Sequence, residues 1–287
     1  MTKVSAFGEG GGATHKKLAG LQAKLDDRAR RLQDQASQII ELTQSLKDRE
    51  AEAAQLLAVA RRGAKHLAAF DELPPEHLRL HVGTRTTEAN FWFQGVKSSE
   101  RVLDVFGEAP DGPVLDWGCG SGRTANWLLK RPGWAHTYYG TDVDAQAIEW
   151  LRANGVERTS ICSDLPPLPY EDGFFAGVFS FSVMTHIPPQ NHRAWYAEIA
   201  RVLRPGGRAF FTIQGDGLIA TGKPLLPETM EAYQRDGFAY EVHEGHYKDA
   251  ALVSPAFSRA AYAGILEEES YAVGGYANMD AFILRKS

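Results

Sequence analysis

The run Pro113-Val114-Leu115-Asp116-Trp117-Gly118-Cys119-Gly120-Ser121-Gly122-Arg123 sets three glycines at alternate positions behind an aspartate. Glycines so spaced let the backbone take positive φ and approach a ligand closely, and a helix starting directly after them offers unpaired amides. The chemistry of the run is therefore cofactor binding. Nicotinamide and flavin enzymes seat a pyrophosphate on G-x-G-x-x-G. Here the spacing is G-x-G-x-G, and Asp116 would oppose a pyrophosphate while suiting a cation, which favours a sulfonium ligand over a dinucleotide and counts against a dinucleotide-dependent oxidoreductase.

Further acids and a histidine fall where strands are expected to end. Asp142 closes Tyr138-Tyr139-Gly140-Thr141-Asp142, read as a second parallel strand, from whose carboxyl end a carboxylate can accept hydrogen bonds from both hydroxyls of a ribose. Asp144 is the expected N-cap of the helical run from Ala145 to Asn154. Asp164, ending the third strand in Ser160-Ile161-Cys162-Ser163-Asp164-Leu165, could receive an adenine amino group or serve as a turn residue before Pro166; position alone leaves both open. His186, in Ser182-Val183-Met184-Thr185-His186-Ile187-Pro188, follows a fourth strand over 174–181 and stands at the carboxyl rim, where a second substrate would lie. Its unperturbed pKa suits removal of an alcohol proton near neutrality, and the alternative is a histidine packed against the following loop. Asp216 and the cluster His243, His246 and Tyr247 are further rim candidates whose spacing fixes no role. No helix or partner ligand completes a zinc or iron site there, so no metal is expected. Phe91, Trp92 and Phe93, on a helix ahead of these strands, are expected to cover the core, with the alternative that one caps the cofactor.

The elements needed to position these residues are short strands alternating with helices. The fourth strand is apolar almost throughout, as strands covered on both faces are, so the sheet is expected to be mostly parallel. The block Asp116 to Gly122, Gly140-Thr141-Asp142, and Arg201-Val202-Leu203-Arg204-Pro205-Gly206-Gly207 resemble class I S-adenosylmethionine-dependent methyltransferases, over roughly residues 85 to 285. The resemblance implies an α/β fold with a doubly wound, Rossmann-like, mostly parallel sheet and S-adenosylmethionine as cofactor. It implies that Asp142 holds the ribose, that Ser163, Asp164 and Leu165 edge the adenine, and that Asp116, Gly118, Cys119, Gly120 and Gly122 line the methionine part. Val143, Ser180 and Phe181 complete the implied cofactor set. Ala176 stands where the family commonly has an aspartate, a position that is usually structural.

Methyl transfer from a sulfonium is an in-line displacement, so the protein must hold an acceptor in line with the methyl and away from water. The ending Tyr271 to Arg285 resembles small methyltransferases that accompany glycosyltransferases in glycan assembly, with Met279-Asp280 where Gln-Asp often stands. That resemblance implies a sugar or glycan hydroxyl as acceptor and a glycan-assembly protein partner. A small natural product or lipid-like molecule is the alternative acceptor, and a coiled-coil adaptor with an inactive methyltransferase-like domain the alternative function.

In front of this lies a different pattern. Residues 1–15 are glycine-rich and read as a disordered tail. Leu18, Leu25, Leu32, Ile39, Leu46, Ala53 and Ala60 then recur every seven residues, with Leu21, Leu42 and Leu56 in second positions and Arg28, Gln35 and Arg49 interrupting them. A strict heptad predicts a left-handed coiled coil over 16–73 and homo-oligomerisation, against the alternative of one amphipathic helix folded back on its own domain. Pro74 and Pro75 break the helical pattern, and the catalytic domain is expected over 76–287. The 287 residues, 44% hydrophobic, are enough for a full core, and the net charge of −5 leaves no basic surplus for a phosphate backbone. Only Cys119 and Cys162 occur, which fits a reducing, cytoplasmic setting, and no apolar run of about 18 residues predicts a membrane span.

Overall fold

The computed structural model describes residues 68–80, 87–222, 225–241 and 250–287, and, between 20 and 49, all but 23, 26, 34, 37, 41, 44 and 48. The chain divides into two units, Met1–Arg62 and Gly63–Ser287. In the first, every described residue between 20 and 49 is helical and exposed (α1). The heptad positions 18, 53, 56 and 60 and the tail 1–15 lie outside the described residues.

In the second unit α2 (Glu76–Leu80) and α3 (Glu88–Phe106) precede an alternation of strands and helices. These are β1 (Val114–Trp117), α4 (Ala125–Leu128), α5 (Pro132–Ala135), β2 (Tyr138–Asp142), α6 (Ala145–Ala153), β3 (Thr159–Ile161), β4 (Phe175–Ser180), α7 (His192–Val202) and β5 (Leu203–Ile213). Then come α8 (Asp216–Ala220), α9 (Pro227–Asp236), β6 (Phe238–Glu241), β7 (Ala250–Val253), α10 (Pro255–Tyr262), β8 (Glu267–Tyr276) and β9 (Met279–Arg285). The main sheet runs β3-β2-β1-β4-β5-β9-β8. Its first five strands are parallel, and β9 and β8 add as an antiparallel hairpin. The order reverses between β1 and β4, so a crevice opens outside their carboxyl ends, the place where open α/β sheets bind ligands.

Both faces of the sheet are covered, which is why β1 and β4 are apolar nearly throughout. Leu115, Val178, Phe211 and Phe282 pack under α7 and α10, while Val114, Phe179, Phe210 and Ala281 pack under α3 to α6. Ala68 and Phe70, ahead of Pro74 and Pro75, are buried, and Phe70 belongs to this second core, where its ring meets Trp150 edge-on at 5.0 Å. Phe91 and Trp92 are buried on α3 while Phe93 faces solvent.

The last helix, Pro255–Tyr262, starts where it does because Pro255 sits at its first turn and Ser254 Oγ accepts the Phe257 amide. Strand β5 begins at Leu203, ahead of the Pro-Gly-Gly turn. Phe175 pairs with Leu203 and Gly177 with Arg208, so the Pro-Gly-Gly segment is an excursion inside the strand, turned at Gly206 with φ +77°.

Candidate functional site

The carboxyl edge of β1, β2 and β4 gathers the acids and glycines singled out from the sequence. Gly118, Gly120 and Gly122 take φ of +80°, +52° and +81°, a region L side chains rarely adopt. A Cβ on Gly118 would lie 2.2 Å from Val183 Cγ2, so the loop must approach the segment after β4 bare. The amides of Gly118 and Cys119 both donate to Thr141 O, at 2.8 and 3.1 Å, which ties the loop to β2. Cys119 is buried in the core, and burial pushes its thiol well above the ordinary range, leaving a neutral packing group.

Asp142 joins this loop directly. Its Oδ2 accepts the Gly120 amide at 2.7 Å and its Oδ1 the Asp144 amide at 2.9 Å. A carboxylate has about four acceptor sites, so Asp142 can take hydroxyl donors as well. Asp144 caps α6, its Oδ1 accepting from Gln146 N at 3.0 Å and Ala147 N at 3.3 Å, the structural role expected for it.

Asp116 lies beneath the loop, wholly buried, with the Tyr138 hydroxyl donating to its Oδ2 at 2.9 Å. Burial raises its pKa to about 7, the Tyr138 hydrogen bond works against that, the neighbouring Asp142 adds to it, and Arg123 lowers it. Arg123, the cation closing the loop, was missed as a site residue, although its position directly after Gly122 was the available signal.

Past β3, Ser163, Asp164 and Leu165 are exposed, with Ser163 Oγ donating to Asp164 Oδ1 at 3.1 Å. The Trp195 indole on α7 donates to Asp164 O at 3.2 Å, and its ring lies 4.7 Å from that of Trp117. Val143 is exposed at the end of β2. Ser180 ends β4 fully buried, its hydroxyl without a hydrogen-bond partner. Phe181 belongs to a different group, its ring packed on Phe210 at 5.4 Å and Tyr276 at 4.6 Å, so its side chain supports β5 and the β8–β9 hairpin.

The segment after β4 carries His186 at the end of a 3-10 turn, Met184–His186, exposed at the rim. This turn is held from behind by a residue that sequence reasoning passed over. His192 is fully buried, its Nε2 3.1 Å from Ile187 O, between the rings of Phe238 and Phe257 at 5.7 and 5.2 Å. Burial lowers its pKa to about 4, so it is neutral and donates through Nε2. Nothing in the sequence separates it from a surface histidine at a helix start.

A second buried group lies beyond β5. Asp280 Oδ1 accepts the amides of Gly217 at 2.8 Å and Gly274 at 3.0 Å, and its Oδ2 accepts the Tyr271 hydroxyl at 3.0 Å. Asp216 accepts the Tyr233 hydroxyl at 2.7 Å. His243, His246 and Tyr247 lie outside the described residues, and among the described residues no three potential ligands gather as a metal site would require.

Residues 114–207, the span from β1 into β5 that builds the crevice, match the family described as Methyltransferase domain. The methyltransferase GfsG of Streptomyces halstedii is 34% identical over 120 residues, covering 40% of this chain and 42% of that protein. The fatty-acid O-methyltransferase of Mycolicibacterium smegmatis is 31% identical over 148 residues, half of each chain. The chain thus spans half or less of the length of these two curated relatives. The crystal structure of an S-adenosylmethionine-dependent methyltransferase from Methanosarcina mazei shares the fold at a TM-score of 0.51 and 15% identity, covering 64% of this chain and 96% of that one. Residues 114–207 thus match a methyltransferase domain, and the second unit shares its fold with an S-adenosylmethionine-dependent methyltransferase. Among the described residues no helix is long and apolar enough to cross a membrane.

Proposed function

We propose that this chain transfers a methyl group from S-adenosylmethionine to an oxygen of a small or lipid-like acceptor lying over the carboxyl ends of β4 and β5. The observation that carries the cofactor half is the junction of Asp142 with the glycine loop, where one carboxylate takes the Gly120 amide and faces the crevice at the end of β2. In this reading Asp142 orients the ribose hydroxyls, and Val143 and Leu165, both exposed beside it, offer apolar faces to the adenine together with Ser163 and Asp164. The bare glycines admit the methionine part, and Asp116 supplies negative charge under it. The cofactor, when bound, supplies an electrophilic methyl on a sulfonium. The chain's part is to exclude water and to hold the acceptor oxygen in line.

Support for the acceptor class comes from relatives whose names record action on a fatty acid and on a malonyl group borne by acyl-carrier protein. A carboxylate acceptor needs no base, whereas a hydroxyl does, and His186 is the residue placed for that role. A sugar or glycan hydroxyl with a glycan-assembly partner is the second reading, and it rests on the ending Tyr271–Arg285. There Asp280 is engaged by two backbone amides and Tyr271, so the likeness follows from the hairpin's construction and carries little about a sugar. Self-association through the heptads of α1 belongs to the same proposal, as does a cytoplasmic setting.

The test is calorimetric titration with S-adenosylmethionine and S-adenosylhomocysteine, with NADH as control, followed by turnover on free fatty acids, hydroxylated lipids and sugars. Micromolar binding of the adenosyl ligands alone is expected, falling at least about tenfold, or 1.4 kcal/mol, in Asp142→Ala. Normal binding by that variant would remove the reading. Methylation of the carboxylates should survive His186→Ala, while methylation of a hydroxyl should drop by about 100-fold or more.

A further inference from the structure

We infer that α1 pairs with α1 of a second copy in antiparallel orientation, in the register that sets Leu25 against the partner's Leu42 and Leu46 against the partner's Leu21. The inference rests on the self-association reading above and adds its geometry. Leu21, Leu25, Leu32, Ile39, Leu42 and Leu46 are 54 to 69% exposed along one helix, a stripe that soluble proteins cover. A stripe repeating every seven residues stays in one line only against another supercoiled helix, whereas a helix lying on a globular surface follows a period of 3.6. The occupant that fits is therefore a helix of the same heptad, and a second copy of this chain supplies one.

Charge decides the orientation. In a parallel, in-register pair each second position meets its own copy, so Arg28 would face the partner's Arg28 and Arg49 the partner's Arg49, two like-charge layers in the seam. In an antiparallel pair, first positions face second positions, and no arginine faces an arginine. The register named gives Leu25 with the partner's Leu42, Leu32 with the partner's Gln35, Ile39 with the partner's Arg28, and Leu46 with the partner's Leu21. Arg28 then lays its methylenes along Ile39 and carries its guanidinium to water. Arg49 falls opposite sequence position 18, a leucine. A shift by one heptad in either direction leaves a single apolar layer among the described positions.

The experiment uses the full chain with Cys162→Ser, which removes the accessible cysteine and leaves the buried Cys119. Light scattering on size exclusion should give the mass of a dimer. Under a glutathione redox buffer, a mixture of Leu25→Cys and Leu42→Cys chains should cross-link at least about tenfold more than either variant alone, because only facing positions approach within the roughly 7 Å limit between Cα atoms. Efficient cross-linking of either single variant with itself would overturn the antiparallel pairing, and a monomer or a higher oligomer would overturn the pair. S-adenosylmethionine titration of the same samples reports separately on the methyltransferase reading and on the folding of each variant.

Discussion

At the scale of single residues, two buried titratable groups oppose one another. Asp116 moves from 3.8 to about 7 on folding, so the folded chain holds a proton that the unfolded chain has released, and stability falls as pH rises between those values. A bound cation near Asp116 favours its ionised form. The affinity for S-adenosylmethionine should therefore climb with pH up to about 7 and then level, with protons released on binding at pH 6. Titrations in two buffers of different ionisation enthalpy measure that release, and Asp116→Asn should abolish both the slope and the protons. His192 shifts the other way, from 6.5 to about 4, so its contribution to stability is lost as pH falls through that interval. In His192→Gln, which can still donate to Ile187 O, urea midpoints at pH 7 and pH 4.5 should lie closer together than in the parent chain; equal spacing in the two proteins would show that His192 does not titrate as stated. Neither residue's shift was legible in the sequence. Asp116 was recognised from the glycines that follow it, but its depth was not. His192 takes its role from Phe238 and Phe257, both distant in the chain.

At the scale of elements, local signals carry the glycine loop and the Asp144 cap, which follow from residues within a turn of one another, and β1 and β4, which are largely apolar runs. The tertiary additions were not legible. The β6–β7 ribbon with α8 and α9 is inserted after β5 and fastened to it by the Gln214–Leu252 bridge, a contact with no local signature. Strand β8 begins with three exposed glutamates, a composition that reads as loop or helix, and it is a strand because β9 pairs with it. Asp280 holds this region together, fastening the start of α8 and the β8–β9 hairpin through three donors. Asp280→Ala should cost about 2 to 4 kcal/mol, since it leaves the buried Gly217 amide, the part-buried Gly274 amide and a tyrosine hydroxyl without their acceptor. Chemical denaturation measures this, and a loss under about 0.5 kcal/mol, the scale of surface substitutions, would show the clasp to be idle.

At the scale of the whole molecule, the crevice residues described above all belong to the unit Gly63–Ser287. A chain reduced to 63–287 should bind S-adenosylmethionine within about twofold of the full chain, as expected of a unit with its own core. A loss of binding beyond tenfold would mean that the heptad segment completes the site. Deletion should at the same time remove any self-association, which separates what the front of the chain does for assembly from what the rest does for chemistry.

The outer strand β8 has a consequence for how copies can meet. An edge strand presents unpaired amides and carbonyls, an open invitation to another chain. Here the register slips twice, between Glu268 and Ser270 and between Ala272 and Tyr276, and Glu267, Glu268 and Glu269 line the first third of the strand. An incoming strand would find no straight ladder to continue, and a second copy added in parallel would bring its own glutamates against these. This edge of the sheet is thus a poor template for strand addition, and a crowded solution of this protein has one fewer route to aggregation.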